Sequence, residues 1–568
     1  MEESRYWNRL SRRQVLRGSA VVGLGTVGAA LIGCSSGGAP KDGGGTTAPA
    51  ASGGSGPATA AANPGTPKKG GTFVVPSTSN FLGTTDLDPH TAANTPVMSI
   101  WQSISRGLMQ IDPKTNSPEP DFAKSLEQPD PLTINFTINN ATWENKAPVN
   151  GRKVTAEDVK FSLDRIRSKA PGFTRGSTIA ALDTIEVVDD THLKLKLKKP
   201  SVGFLYGLSF GLNVIVAPEV VKQFGDLKKR DAAIGFGPFV VESFEPNVQA
   251  TIARRPDSWM GDRPYVDKVK YVNMLDTAAQ VAAYRSGQIS TITVPPDQVQ
   301  QFTRDLKNHT FQSRGGVSRG SFTLRMDDKV PWGKDVRVRR ALSMAIDRYE
   351  AVEVIYSGRG KPVATIPWVF EGFTTPPEMY ANYEGYKKDK AAERAEATKL
   401  LQAAGQEKLS FDILSSSTNP TPHKAAAEFV QDQLKKIGVT VKLDLIEFTS
   451  YKKRVDDGNW TTTTDGYTSG FNPDEHLRAY AYTKGSRNYG GYSNKEYDAL
   501  VDKADQEFDP KKRGEIMMQA QKLSISEADH VWLGCSENVC ATQPNVKGYI
   551  PTGEYPQTYR WDRLWLDG

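Results

Sequence analysis

Two spacings of apolar positions recur along this chain, one of about 3.6 residues and one of two, and their alternation sets the expected architecture. Thr155-Ala156-Glu157-Asp158 opens with a Thr at the N-cap and early acids, and Val159, Phe161, Leu163 and Ile166 continue an apolar face to about residue 167, which predicts a helix. A second helix is predicted over 335–346, with Val336, Arg340 and Met344 on one side. Residues 71–75 and 409–414 read as strands, 422–437 as a helix stopped by Gly438, and 439–448 as another strand. Helices over 494–508 and 511–528 precede a final strand at 530–533. The pattern is α/β throughout the body.

Residues 19–33 depart from it: they are apolar, rich in Gly and Ala, and shorter than the ~20 residues of a spanning helix. They follow Ser11-Arg12-Arg13-Gln14-Val15-Leu16-Arg17 and end in Leu31-Ile32-Gly33-Cys34. The first string resembles a twin-arginine export signal, and the second the lipobox of bacterial lipoproteins, whose cysteine carries the lipid. Residues 1–33 are thus expected to be removed. From Ser35 to Lys69 the chain is almost all Gly, Ala, Ser, Thr and Pro, and cannot bury enough surface to fold. As a coil behind the Cys34 anchor it spans on the order of 30 Å. The body, about 70–568, is large enough for two or more domains. It is expected outside the cytoplasm, held against a membrane.

Charge excludes one class of partner. The precursor carries +6. Removal of Arg5, Arg9, Arg12, Arg13 and Arg17 together with Glu2 and Glu3 takes three of those charges and leaves +3, too little for a nucleic-acid footprint. With Cys34 used by lipid, Cys535 and Cys540 remain, an even pair that either forms a disulfide or stays as two buried thiols.

Catalytic motifs fail on context. Gly23-Leu24-Gly25-Thr26-Val27-Gly28 matches a dinucleotide fingerprint but lies inside the export signal. Gly316-Val317-Ser318-Arg319-Gly320 matches a nucleophile elbow, yet the following Ser321-Phe322-Thr323-Leu324 alternates like a strand where an elbow needs a helix. Ser318 is expected in a loop. The six His are scattered without metal-ligand spacing. No cofactor, metal or catalytic residue is expected.

Seven fragments carry a resemblance: Pro120-Asp121-Phe122-Ala123-Lys124-Ser125-Leu126, Lys153-Val154-Thr155-Ala156-Glu157-Asp158-Val159, Gly235-Phe236-Gly237-Pro238-Phe239, Pro264-Tyr265-Val266-Asp267, Tyr284-Arg285-Ser286-Gly287, Val336-Arg337-Val338-Arg339-Arg340-Ala341-Leu342 with Ala345-Ile346-Asp347-Arg348, and Asn488-Tyr489-Gly490-Gly491-Tyr492-Ser493-Asn494. In this order they resemble bacterial extracellular solute-binding protein family 5, the peptide and nickel receptors of ABC importers. The resemblance implies a two-lobe, type II, cluster C-like periplasmic-binding-protein fold. Lobe one would comprise 70–105, 200–324 and 530–568, lobe two 325–529, with a small inserted domain at 106–199. It also implies closure over a small polar solute or peptide, delivery to permease and ATPase subunits, and no enzymatic role. An anchored extracellular hydrolase and a receptor feeding a sensor are the alternatives.

Ligand contacts are expected from two loops: Ser77, Thr78, Ser79 and Asn80 after the opening strand, and Tyr467, Thr468, Ser469, Phe471, Asn472 and Asp474 in the second lobe. Trp368 is a further stacking wall. Each residue also has a structural reading, as a turn or core residue. Arg337, Arg339 and Arg340 are expected to be structural or on a lobe surface. In peptide-binding members the second-lobe loop resembles G-W-x-A-D-Y, whose Asp pairs with the peptide ammonium. Here Gly470 takes that position, with only Asp465 and Asp474 nearby as substitutes. A solute other than an ordinary free-N-terminus peptide is the expectation.

Overall fold

The computed structural model describes residues 65–77, 86–92, 95–113, 115–418, 423–468, 472–551 and 560–568. The export signal, Cys34 and most of the tether lie outside them, as do Thr78, Ser79, Asn80, Ser469, Gly470 and Phe471. Among the described residues no helix is long and apolar enough to cross a membrane.

A first core forms on a four-stranded sheet ordered Thr72–Ser77, Lys268–Asn273, Gln249–Arg254, Phe239–Glu245. Its first pair is parallel and the others antiparallel. The same apolar cluster continues into an antiparallel sheet of Ala123–Asp130, Thr133–Ile138, His192–Leu197 and Leu182–Asp189. Phe236 links the two, its ring 4.6 Å from Phe122 and 5.2 Å from Trp143. The helix Ala156–Ile166 buries Val159, Leu163 and Ile166 as its spacing predicted, and the Asp158 carboxylate accepts from the Thr155 N–H (2.9 Å) across its first turn.

A second core covers the parallel strands Thr440–Ile446, Ser410–Ser416 and Thr462–Thr468 with the helices Val336–Ala345, Lys390–Ala403 and His423–Lys435. In Val336–Ala345 Val338, Ala341, Leu342 and Ala345 form the buried face, and Met344 of the expected side is buried with them, while Val336 and Arg340 are half-buried. The expected side is thus only partly the core side, because the i, i+3, i+4, i+7 set starts two residues later. The three arginines are structural: Arg337 pairs with Asp335, Arg339 with Glu527 and Arg340 with Glu384.

Two long strands, Thr310–Leu324 and His530–Thr542, tie the chain together. Phe322, Leu324, Val531 and Leu533 lie in the second core. At the other end Val539 and Ala541 join Tyr284, Ile292 and Phe302 in a smaller cluster that abuts Val74 of the first sheet. The register breaks between Gly315, opposite Glu537, and Arg319, opposite Cys535, so three residues on one strand face one on the other. The final strand runs to Thr542 rather than ending at 533, because it is paired on both sides and needs no apolar alternation of its own.

That strand also corrects the disulfide. Cys535 and Cys540 are both buried thiols, not joined in a disulfide. Five residues apart on an extended chain, their Cα atoms are separated by roughly 17 Å, far beyond the ~7 Å limit of a bridge. The Cys535 thiol donates to the Gly316 carbonyl (2.8 Å) instead.

Candidate functional site

The break in register gathers the polar and aromatic chemistry. Gly320 and Gly534 face each other across the two long strands. The Gly320 N–H donates to the Tyr356 phenol oxygen (2.7 Å), and the Tyr356 hydroxyl donates to the Gly534 carbonyl (3.1 Å). A Cβ at Gly320 would sit 2.6 Å from that phenol oxygen, so the clamp requires glycine. Gly315 is fixed in the same way: a Cβ there would come within 2.5 Å of Trp368 and Val369.

On one face of this junction lie Arg319, Ser321 and Thr323, in phase along the strand and all buried. The Arg319 guanidinium carbon stands 4.1 Å from the Trp532 ring centroid and 4.9 Å from that of Tyr480. Tyr480 meets Trp532 edge-on at 5.6 Å, and His530 stacks on Trp532 at 5.2 Å. The cation is thus stabilised by ring faces. Lys361 repeats the motif over Trp368, 4.5 Å from its centroid.

Opposite Ser321, midway along Thr462–Thr468, is Asp465. Its side chain is 17% exposed, with Oδ1 accepting from the Gly466 N–H (2.7 Å) and 3.5 Å from His423 Nε2. Burial pushes the Asp465 carboxyl up to about 7, against the lowering effects of the Gly466 N–H, Arg487 and Lys452. Burial takes His423 down to about 4, partly offset by its hydrogen bond to the Thr464 carbonyl.

The residues expected from sequence divide sharply. Trp368, Tyr467 and Thr468 come to the junction, the last two paired with Arg319 and Ser318. Asn472 is buried and caps the helix Pro473–Tyr480, accepting from the Glu475 N–H (2.6 Å). Asp474 is buried in an ion pair with Arg513. Ser77 ends the opening strand in the other core, buried, its carbonyl accepting from the Met274 N–H (3.1 Å). Ser318 lies within a strand, not in a loop, so Gly316–Gly320 forms no strand–turn–helix elbow. Sequence reading missed Arg319, Tyr356, His423, Tyr480 and Trp532. The in-phase polar set Arg319, Ser321 and Thr323 was the available signal, but alternation normally reads as a solvent face.

No group of three His, Cys, Asp or Glu suited to a metal ion occurs among the described residues. The arrangement offers ring faces, a buried cation and a protonatable carboxyl beside a bend, which is chemistry for holding a solute.

Comparison with known proteins agrees. Residues 117–489 match the family described as bacterial extracellular solute-binding proteins, family 5 Middle. The dipeptide-binding protein DppE of Bacillus subtilis (strain 168) is 28% identical over 510 residues, covering 85% of this chain and 90% of the relative. The dipeptide-binding protein of Escherichia coli (strain K12) is 25% identical over 478 residues, 79% of this chain and 87% of its own. The fold resembles DppA from Helicobacter pylori in complex with the peptide STSA, with TM-score 0.71 at 23% identity over 88% of this chain and 99% of the other. It also resembles AppA from Bacillus subtilis in complex with a nonapeptide, at TM-score 0.70 and 22% identity over 89% and 100%. The architecture is that of the two-lobe periplasmic binding proteins.

Proposed function

Since the chain belongs to family 5 of the bacterial extracellular solute-binding proteins, we propose that it captures a peptide or other small polar solute between its lobes and hands it to the permease and ATPase subunits of an ABC importer. The observation that carries this is the pair of long strands, which cross from one core to the other and lose register beside the Arg319, Trp532 and Tyr480 cluster. A bend at Gly315–Arg319 opens and closes the lobes without unfolding either core. Closure buries the solute and changes the shape that a permease meets. In this reading the lobe limits move from 325 and 530 toward the register break at 315–319 and 535–537, since Phe322, Leu324, Val531 and Leu533 pack in the second core, with the small domain at 106–199 riding on lobe one. The Cys34 lipid and the tether keep the body within reach of its permease.

The named relatives bind peptides, but the ammonium partner of an ordinary peptide has no counterpart here. Gly470 offers no charge, Asp474 is committed to Arg513, and burial raises the Asp465 carboxyl to about 7. The second reading is therefore a blocked or differently held peptide, or another polar solute. Mass spectrometry of what co-purifies with the chain identifies the solute; a protein free of any bound small molecule, and inert in calorimetry toward peptides and sugars, would overturn the proposal. Calorimetry with paired peptides, N-terminally free and acetylated, separates the readings. A tenfold preference for the free amine, about 1.4 kcal/mol, would overturn the second.

A further inference from the structure

A second contact joins the lobes away from the strands. The segment after the inserted sheet, Lys199 to Gly203, belongs to the first core's side, and the helix Lys495–Gln506 to an apolar cluster of the other lobe. Asp505, in the last turn of that helix and 7% exposed, reaches across. Its Oδ1 accepts from the Ser201 hydroxyl (2.9 Å) and from the Gly203 N–H (3.2 Å), while its main-chain carbonyl accepts from the Val202 N–H (2.8 Å). The Lys199 ammonium lies 3.7 Å from Oδ2. A Cβ at Gly203 would stand 3.2 Å from Oδ1, a tight contact that would press on the carboxylate. Two neighbouring contacts run the same way: Asn116 Nδ2 donates to the Val369 carbonyl (2.9 Å), and the Arg513 guanidinium lies 5.8 Å from the Tyr206 ring centroid.

We propose that Asp505 is an interlobe latch, a positioning residue whose hydrogen bonds to Ser201 and Gly203 hold the two lobes closed and so set how tightly and how long solute is retained. It rests on the capture reading above. The physical argument is that three hydrogen bonds converge from one lobe on a single residue of the other, in a dry contact where charge-assisted bonds are strong. Each lobe's own fold uses none of them: the helix Lys495–Gln506 is capped at its start by Asn494, and the segment 201–203 gains its polar partners from outside its own core. Interactions made only in the closed form shift the equilibrium by their whole strength.

The test is a distance measurement by pulsed electron resonance between spin labels at Val188→Cys and Val354→Cys, exposed positions on the two lobes, in the Cys34→Ala chain stripped of solute by unfolding and refolding. Asp505→Ala is expected to lower the ratio of short to long distances by about tenfold, and Ser201→Ala to lower it in the same direction by less. Thermal melting checks that both variants fold. Ser201→Ala removes a single hydroxyl and keeps the question open to measurement if Asp505→Ala does not fold. Distance distributions unchanged from the parent in the folded variants would overturn the latch. Failure of the capture reading has a different signature: no solute in the mass spectrum, with the Asp505→Ala shift intact.

Discussion

Arg319 lies fully buried with its guanidinium 4.1 Å above the ring of Trp532. A cation in that position is matched in shape as well as charge, so removing it leaves a large cavity between Trp532 and Tyr480. Arg319→Ala is expected to cost about 3 kcal/mol or more in urea denaturation. Arg319→Lys keeps the charge but loses the flat stacking surface, and is expected to fall between. Equal stability of all three would remove the stacking argument.

Tyr356 holds the two long strands together through one oxygen. Tyr356→Phe leaves the buried Gly320 N–H without its acceptor, an expected loss of about 1–3 kcal/mol. Denaturation should also show the same m-value as the parent, because the exposed surface on unfolding is unaltered. A neutral substitution would mean that water replaces the hydroxyl.

Asp465 gives the stability a pH dependence of known sign. Its folded value, about 7, lies above the ordinary 3.8, so the native state binds the extra proton. Its contribution is full below about pH 4 and is lost as pH rises from there to about 7, with a ceiling near 4 kcal/mol. His423, lowered from 6.5 to about 4, acts in the opposite sense: its contribution is lost as pH falls through that window. Asp465→Asn isolates the first effect. The parent's stability relative to the variant, measured at several pH values, should fall steadily from pH 4 to 7; a flat difference would show that Asp465 titrates normally in the fold.

Cys34 is expected to carry the lipid. In Cys34→Ala the full-length protein should leave the membrane fraction, since no described helix is long and apolar enough to hold it there. Continued sedimentation with membranes after a high-salt wash would show another attachment.

The fold class and most elements were legible because they follow from local periodicity and caps. Residues 155–167, 335–346, 409–414 and 494–508 each fall within two residues of the observed element. The site was less legible, for a physical reason visible in Thr310–Leu324. Its polar phase, Arg319, Ser321 and Thr323, is buried because the strand lies inside a seven-stranded sheet covered on both faces, and no single strand announces how many neighbours it has. Asn472 and Asp474 show the converse. Their residue types suit a binding loop, and equally suit the cap and the ion pair that the structure gives them. Only tertiary partners separate those uses.

Cys535 and Cys540 sit on one strand at a separation no bridge can span, both reduced. The body therefore owes nothing to the redox state of its surroundings. It is expected to take the same form in reducing and in oxidising surroundings. Dithiothreitol should leave its unfolding midpoint where it was.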